Sequence, residues 1–125
     1  MADAALKRIV QIALPTQNLE AAKVFYTEKL GLPLLFEAGA MAFFDAGGVR
    51  LLLGPPEAPD KAVAGGAVYF EPADLPASRT ALEEKGVEFL GPGQTVQKTE
   101  HSELQIHFFR DPDGNLLGLM GEVAL

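Results

Sequence analysis

The chain contains no cysteine and no tryptophan, and it has few basic residues. Without cysteine there can be no disulfide framework, no thiolate nucleophile and no zinc–thiolate site. The 10 Lys and Arg residues do not cluster, and 17 Asp and Glu residues outweigh them to give a formal net charge of −7. Nucleic acids and anionic membranes are therefore poor candidate partners. No apolar run approaches the roughly 20 residues of a membrane helix, and with no signal peptide we expect a cytoplasmic protein.

Apolar residues, by contrast, are plentiful. They make up 48% of the 125 residues and include 8 Phe, so one domain with a proper hydrophobic core is expected. The 13 Gly and 9 Pro residues indicate many turns.

The clearest local signal is Asp111-Pro112-Asp113-Gly114, which lies between two apolar runs and predicts a β-hairpin. If Arg110 and Asn115 oppose each other across a four-residue turn, His107 opposes Gly118. One face of the hairpin then carries most of its polar groups, and we interpret that face as the functional one. Its predicted members are Glu103, Gln105, His107, Phe109, Leu116, Gly118 and Met120.

The rest of the chain predicts the same series of elements twice. In the first half, a strand over 8–14 precedes a helix that begins at Asn18 and ends at Gly31, and three strands follow at about 33–37, 41–45 and 49–53. In the second half, a strand over 67–71 precedes a helix from Asp74 to Gly86. A strand at 87–90, a long loop over 91–102 and the hairpin complete it.

The spacing of matching features supports an internal repeat. Asn18 and Asp74 are 56 positions apart, as are Gln11 and Ala67. We therefore predict an α+β domain of two βαβββ modules, over residues 8–54 and 66–121, joined by a Pro-rich crossover at 55–65 after a frayed start at 1–7.

Two motifs carry a family resemblance. Phe-Tyr-x-x-x-Leu-Gly at 25–31 and Phe-Phe-x-Asp-Pro-Asp-Gly-Asn at 108–115 resemble the vicinal oxygen chelate superfamily. This group includes glyoxalase I, extradiol dioxygenases and bleomycin resistance proteins. The resemblance implies two βαβββ modules that roll into a curved, partly open barrel around a cleft, a small-molecule ligand, and a homodimer.

In metal-using members of that superfamily, the first and last strands of each module supply the ligands. The matching positions in this sequence are Gln11, Leu52, Ala67 and Gly118. Three of them have no side-chain donor atom, and one ligand does not hold a catalytic divalent ion. We therefore expect no metal or other cofactor at this position.

Strand alternation and the hairpin register then select the side chains that face the cleft. The predicted ligand-binding residues are Gln11, Arg50, Tyr69, Glu71, Glu103, His107, Phe109 and Met120, and Phe44 is expected in the same apolar wall. Arg50 either binds an anionic group or pairs with a carboxylate such as Glu71. Likewise, His107 either contacts the ligand or is a structural histidine, and Tyr69 suits a pocket or the core.

A purely structural dimerisation module would leave the polar cleft unexplained, which favours two other hypotheses for function. The first is a metal-free protein of the bleomycin-resistance kind that binds a small organic ligand in the cleft. The second is a lyase, isomerase or dioxygenase of the glyoxalase I type, with a metal held by a rearranged set of Gln11, Glu71, Glu103 and His107.

Overall fold

The first half of the chain forms a four-stranded sheet with a helix against it. Helix α1 (Leu19–Val24) begins after Asn18, whose side chain accepts a 3.1 Å hydrogen bond from the Ala21 N–H, and continues as a π-helical turn over Phe25–Lys29. The spatial order of the strands is β1-β4-β3-β2, with β1 parallel to β4. The strands are β1 (Gln11–Pro15), β2 (Leu34–Ala38), β3 (Met41–Ala46) and β4 (Val49–Gly54).

The second half repeats this arrangement. Helix α2 (Leu75–Glu84) follows Asp74, which has the extended backbone of an N-cap although its side chain makes no capping hydrogen bond. The strand order is β5-β8-β7-β6, the counterpart of the first sheet, so the predicted α+β class and repeat are confirmed. The strands are β5 (Ala67–Phe70), β6 (Gln94–Lys98), β7 (Ser102–Arg110) and β8 (Leu116–Ala124).

The computed structural model describes residue 4, residues 7–55 and residues 66–125. Most of the predicted frayed start at 1–7 and of the predicted crossover at 55–65 therefore lies outside the described residues. Neither helix of the described part is long and apolar enough to cross a membrane.

One predicted strand is wrong. Residues 87–90 contribute only an isolated bridge between Phe89 and Phe109, and β6 forms instead within the predicted loop 91–102. Gly91, at φ +136°, and Pro92 interrupt the chain before β6. All five residues of β6 are exposed at the edge of the sheet, so the strand needs no apolar alternation, and the sequence pattern gave no sign of it.

A single hydrophobic core joins the two modules. It combines both helices with one face of each sheet, and the rings of Phe25 and Phe109 lie 6.4 Å apart across the module boundary. We call the face of each sheet that packs in this core the helix-covered face and the opposite one the open face. Phe44 and Phe109, predicted as cleft walls, are fully buried on the helix-covered face, so that prediction is wrong.

Candidate functional site

The closing hairpin has a turn one residue longer than predicted. The turn runs from Asp111 to Asn115, and the Asp111 N–H donates to the Asn115 carbonyl at 3.1 Å. Because side chains alternate between the two faces of a strand, this shift places His107 opposite Leu119 instead of Gly118. The predicted functional face therefore combines residues from both faces of the sheet.

The observed pairing of the strands changes the face on which several predicted site residues lie. Tyr69 and Met120 lie on the open face with Gly118, as predicted. The other hairpin residues predicted for that face point to the opposite side: Glu103, Gln105, His107 and Phe109. The rearranged metal set that combined Gln11 and Glu71 with Glu103 and His107 is consequently not assembled. Among the described residues, no three His, Asp or Glu side chains form a group suited to a metal ion.

His107 belongs to a hydrogen-bonded chain of side chains. Its Nδ1 lies 3.0 Å from Nη1 of Arg79, and its Nε2 lies 2.9 Å from Oε1 of Gln105, whose amide donates to Glu103 at 2.9 Å. A guanidinium can only donate, so Nδ1 accepts and Nε2 carries the hydrogen. Burial and, second, the charge of Arg79 lower the pKa of His107. Of the two roles considered for His107, this geometry matches that of a structural histidine.

A cavity of about 590 Å³ lies where the two modules meet. This volume is within the usual range for small-molecule sites. Arg50, Tyr69 and Glu71, three of the predicted site residues, line it together. Its apolar wall comes from both sheets and from α2, and includes Ile12, Leu51, Val68, Phe70, Leu82 and Leu119.

Arg50 borders the cavity from β4, but its side chain points to the open face. Its guanidinium lies over two aromatic rings, 5.6 Å from the centroid of Phe43 and 6.0 Å from that of Phe36. Among the ion pairs of the described residues, none joins Arg50 to Glu71 or to another carboxylate. Gln11 is the register partner of Arg50 on β1, but it does not line the cavity, and neither does Met120.

Two lysines that the sequence analysis missed also line the cavity. Lys29 ends the π-helical turn of the first module, and Lys85 directly follows α2 in the second. The Lys85 ammonium donates to the carbonyl of Glu28 at 3.4 Å, and Lys29 Nζ lies 3.9 Å from where a Cβ on Gly86 would stand. The two lysines are 56 positions apart, the same spacing as the two helix starts. This match to the internal repeat is the sequence feature that could have identified them as equivalent residues.

Two βαβββ modules packed around one core are the architecture that the family resemblance implied, and comparisons with known proteins identify the family. The family model of the Glyoxalase/Bleomycin resistance protein/Dioxygenase superfamily matches residues 8–119. The uncharacterized protein YurT of Bacillus subtilis (strain 168) is 33% identical over 130 aligned positions, which cover 90% of this chain and 98% of YurT. The chain belongs to the Glyoxalase/Bleomycin resistance protein/Dioxygenase superfamily.

Solved structures share the fold. Lactoylglutathione lyase from Agrobacterium tumefaciens superimposes with a TM-score of 0.78 at 23% identity, over 93% of this chain and 94% of that one. TnmS3, an antibiotic binding protein from Streptomyces sp. CB03234, gives a TM-score of 0.72 at 25% identity, over 94% of this chain and 98% of TnmS3. The superfamily thus places both an enzyme and a binding protein on this architecture, so the fold alone does not determine the function.

The residues at the usual metal position of the superfamily do not fit a divalent ion. A Cβ added to Gly118 would lie 3.1 Å from Cδ1 of Tyr69 and 3.4 Å from Ile106 and Phe108. The Tyr69 ring therefore occupies the direction in which a ligating side chain at this position would project. Leu52 is apolar and only 6% exposed, so the last strand of the first module offers no donor there either.

Proposed function

We propose that this protein binds a small organic molecule in the cavity between its two modules, without a metal ion. The observation that carries the proposal is the cavity itself, in which an apolar wall surrounds a few polar side chains, including Arg50, Tyr69 and Glu71. That combination is the usual composition of small-molecule sites. The similarity to TnmS3, an antibiotic binding protein, is consistent with binding as the activity.

The proposal can be tested with a neutral fluorescent probe, N-phenyl-1-naphthylamine, whose emission rises when it leaves water. We expect saturable binding to the wild-type protein. Ala81→Trp places a large side chain in the cavity wall and should abolish that binding. Thr80→Trp, one position earlier on α2 and outside the wall, is the matched control and should bind like the wild type.

Melting curves check that both tryptophan variants remain folded. Equal loss of binding in Ala81→Trp and Thr80→Trp, or no binding to the folded wild type, would show that the cavity is not the binding site.

We also infer that the chain is cytoplasmic and that it forms a homodimer, the assembly that the family resemblance led us to expect. The support from the structure is the edge strand β2, in which Leu34, Leu35 and Phe36 are 41%, 51% and 44% exposed. Three consecutive apolar residues on an exposed edge strand are an aggregation risk for a monomer, and a second copy would cover them. Light scattering should give about twice the 13.3 kDa chain mass at micromolar concentration. Leu35→Lys should shift the mass to that of one chain.

A further inference from the structure

The two lysines place positive charge at one side of the cavity. Lys29 and Lys85 come from equivalent ends of the two helical segments, and each lies beside the other's segment. Within the described residues, neither lysine has a carboxylate oxygen within 4.0 Å. Their ammonium groups therefore remain available to a bound ligand.

The charge of the wall contrasts with the charge of the chain. The protein has a formal net charge of −7, yet the cavity lining sets two basic side chains, Lys29 and Lys85, against one acidic side chain, Glu71. In a cavity with apolar walls, charge interactions are screened less than on an open surface, so this local excess of positive charge attracts anions.

We propose that the ligand of this cavity is an amphipathic organic anion, with its acidic group between Lys29 and Lys85 and its apolar body against the helix-covered face of both sheets. This inference rests on the proposed function, because it requires the cavity to bind a ligand. The acidic group can be a carboxylate, a sulfonate or a phosphate, since a lysine ammonium is a point charge that binds all three.

The test compares two probes with the same aromatic rings. 1-Anilinonaphthalene-8-sulfonate carries one negative charge, and N-phenyl-1-naphthylamine carries none. We expect the wild type to bind the sulfonate more tightly than the neutral probe. Lys29→Met and Lys85→Met should each weaken sulfonate binding by about tenfold, the equivalent of a lost charge-assisted hydrogen bond, and leave the neutral probe unaffected.

Lys98→Met is the matched control, since it removes one charge from β6, outside the cavity wall. It should change neither affinity by more than about twofold, because an exposed charge at a distance is screened by salt. Unchanged binding of the neutral probe to the Lys29 and Lys85 variants also shows that their cavities are intact.

The outcomes separate this inference from the proposed function. If both probes bind equally and the Lys29 and Lys85 variants behave like Lys98→Met, the cavity binds ligands but the preference for anions is refuted. If neither probe binds the folded protein, the proposed function fails and this inference fails with it.

Discussion

The hydroxyl of Tyr26 donates a 2.8 Å hydrogen bond to Oδ2 of Asp111, a residue of the other module 85 positions away. Tyr26 is fully buried, and burial together with the Asp111 carboxylate raises its pKa well above the ordinary value. Asp111 also accepts hydrogen bonds from the backbone N–H groups of Asp113 and Asn115, so one carboxylate connects the π-helical turn after α1 to the hairpin turn.

Removing that hydroxyl should destabilise the protein. Tyr26→Phe deletes a buried hydrogen bond to a carboxylate, and we expect a loss of about 1.5–3 kcal/mol in the free energy of unfolding, measured by urea denaturation. Tyr69→Phe is the control, because Tyr69 is 48% exposed and should change stability by less than about 0.5 kcal/mol. Equal effects of the two substitutions would mean that the bond to Asp111 does not stabilise the fold.

Gly93 should tolerate no larger side chain. A Cβ at this position would overlap the ring of His107, which is held on two sides by Arg79 and Gln105. We expect Gly93→Ala to cost about 1–3 kcal/mol of stability. Gly66→Ala serves as the control, since no heavy atom lies within 4 Å of its added Cβ.

A double-mutant measurement of stability provides a second test of the contact between Gly93 and His107. In a His107→Ala background the overlap disappears, so Gly93→Ala should cost measurably less there than in the wild type. Additive effects of the two substitutions would contradict this account of the contact.

His107 should make stability depend on pH. Its folded-state pKa lies below the ordinary 6.5 because of burial and then the Arg79 charge, so the unfolded chain takes up this proton at a higher pH than the folded chain does. The contribution of neutral His107 to the free energy of unfolding is therefore complete above about pH 6.5. It is lost as the pH falls towards the folded-state pKa.

The comparison for this prediction is His107→Gln, a neutral side chain that does not titrate. The difference in unfolding free energy between wild type and variant should be constant above pH 7 and should shrink as the pH falls from 6.5 to 5. A difference that stays constant across this range would show that His107 titrates alike in the folded and unfolded chains.

We expect purified protein to contain less than one divalent ion per chain, and EDTA to leave its melting temperature unchanged. The reason is the lack of donor atoms at Leu52, Ala67 and Gly118, together with the Tyr69 ring beside Gly118. Elemental analysis and melting curves with and without EDTA provide the measurement. One tightly held Ni, Zn, Mn or Fe per chain would contradict the expectation.

Features that depend on a few neighbouring residues could be read from the sequence. The helix start at Asn18 is one, because a side-chain oxygen caps the N–H of a residue three positions later. The tight turn at Gly114, with φ +86°, is another, because glycine adopts that conformation without a steric cost. The repeat of strands and helices followed from spacing alone, and the order of strands in both sheets confirms it.

Which side chains meet depends on the tertiary structure. A turn of five residues instead of four moved His107 and Phe109 to the helix-covered face, since a shift of one residue exchanges the two faces of a strand. The cavity likewise exists only where the two modules pack, so Lys29 and Lys85 became neighbours through a contact that neither module contains by itself. Local sequence determined the elements of this protein, and the packing of its two modules determined its candidate site, because a cavity is a property of surfaces distant in the chain.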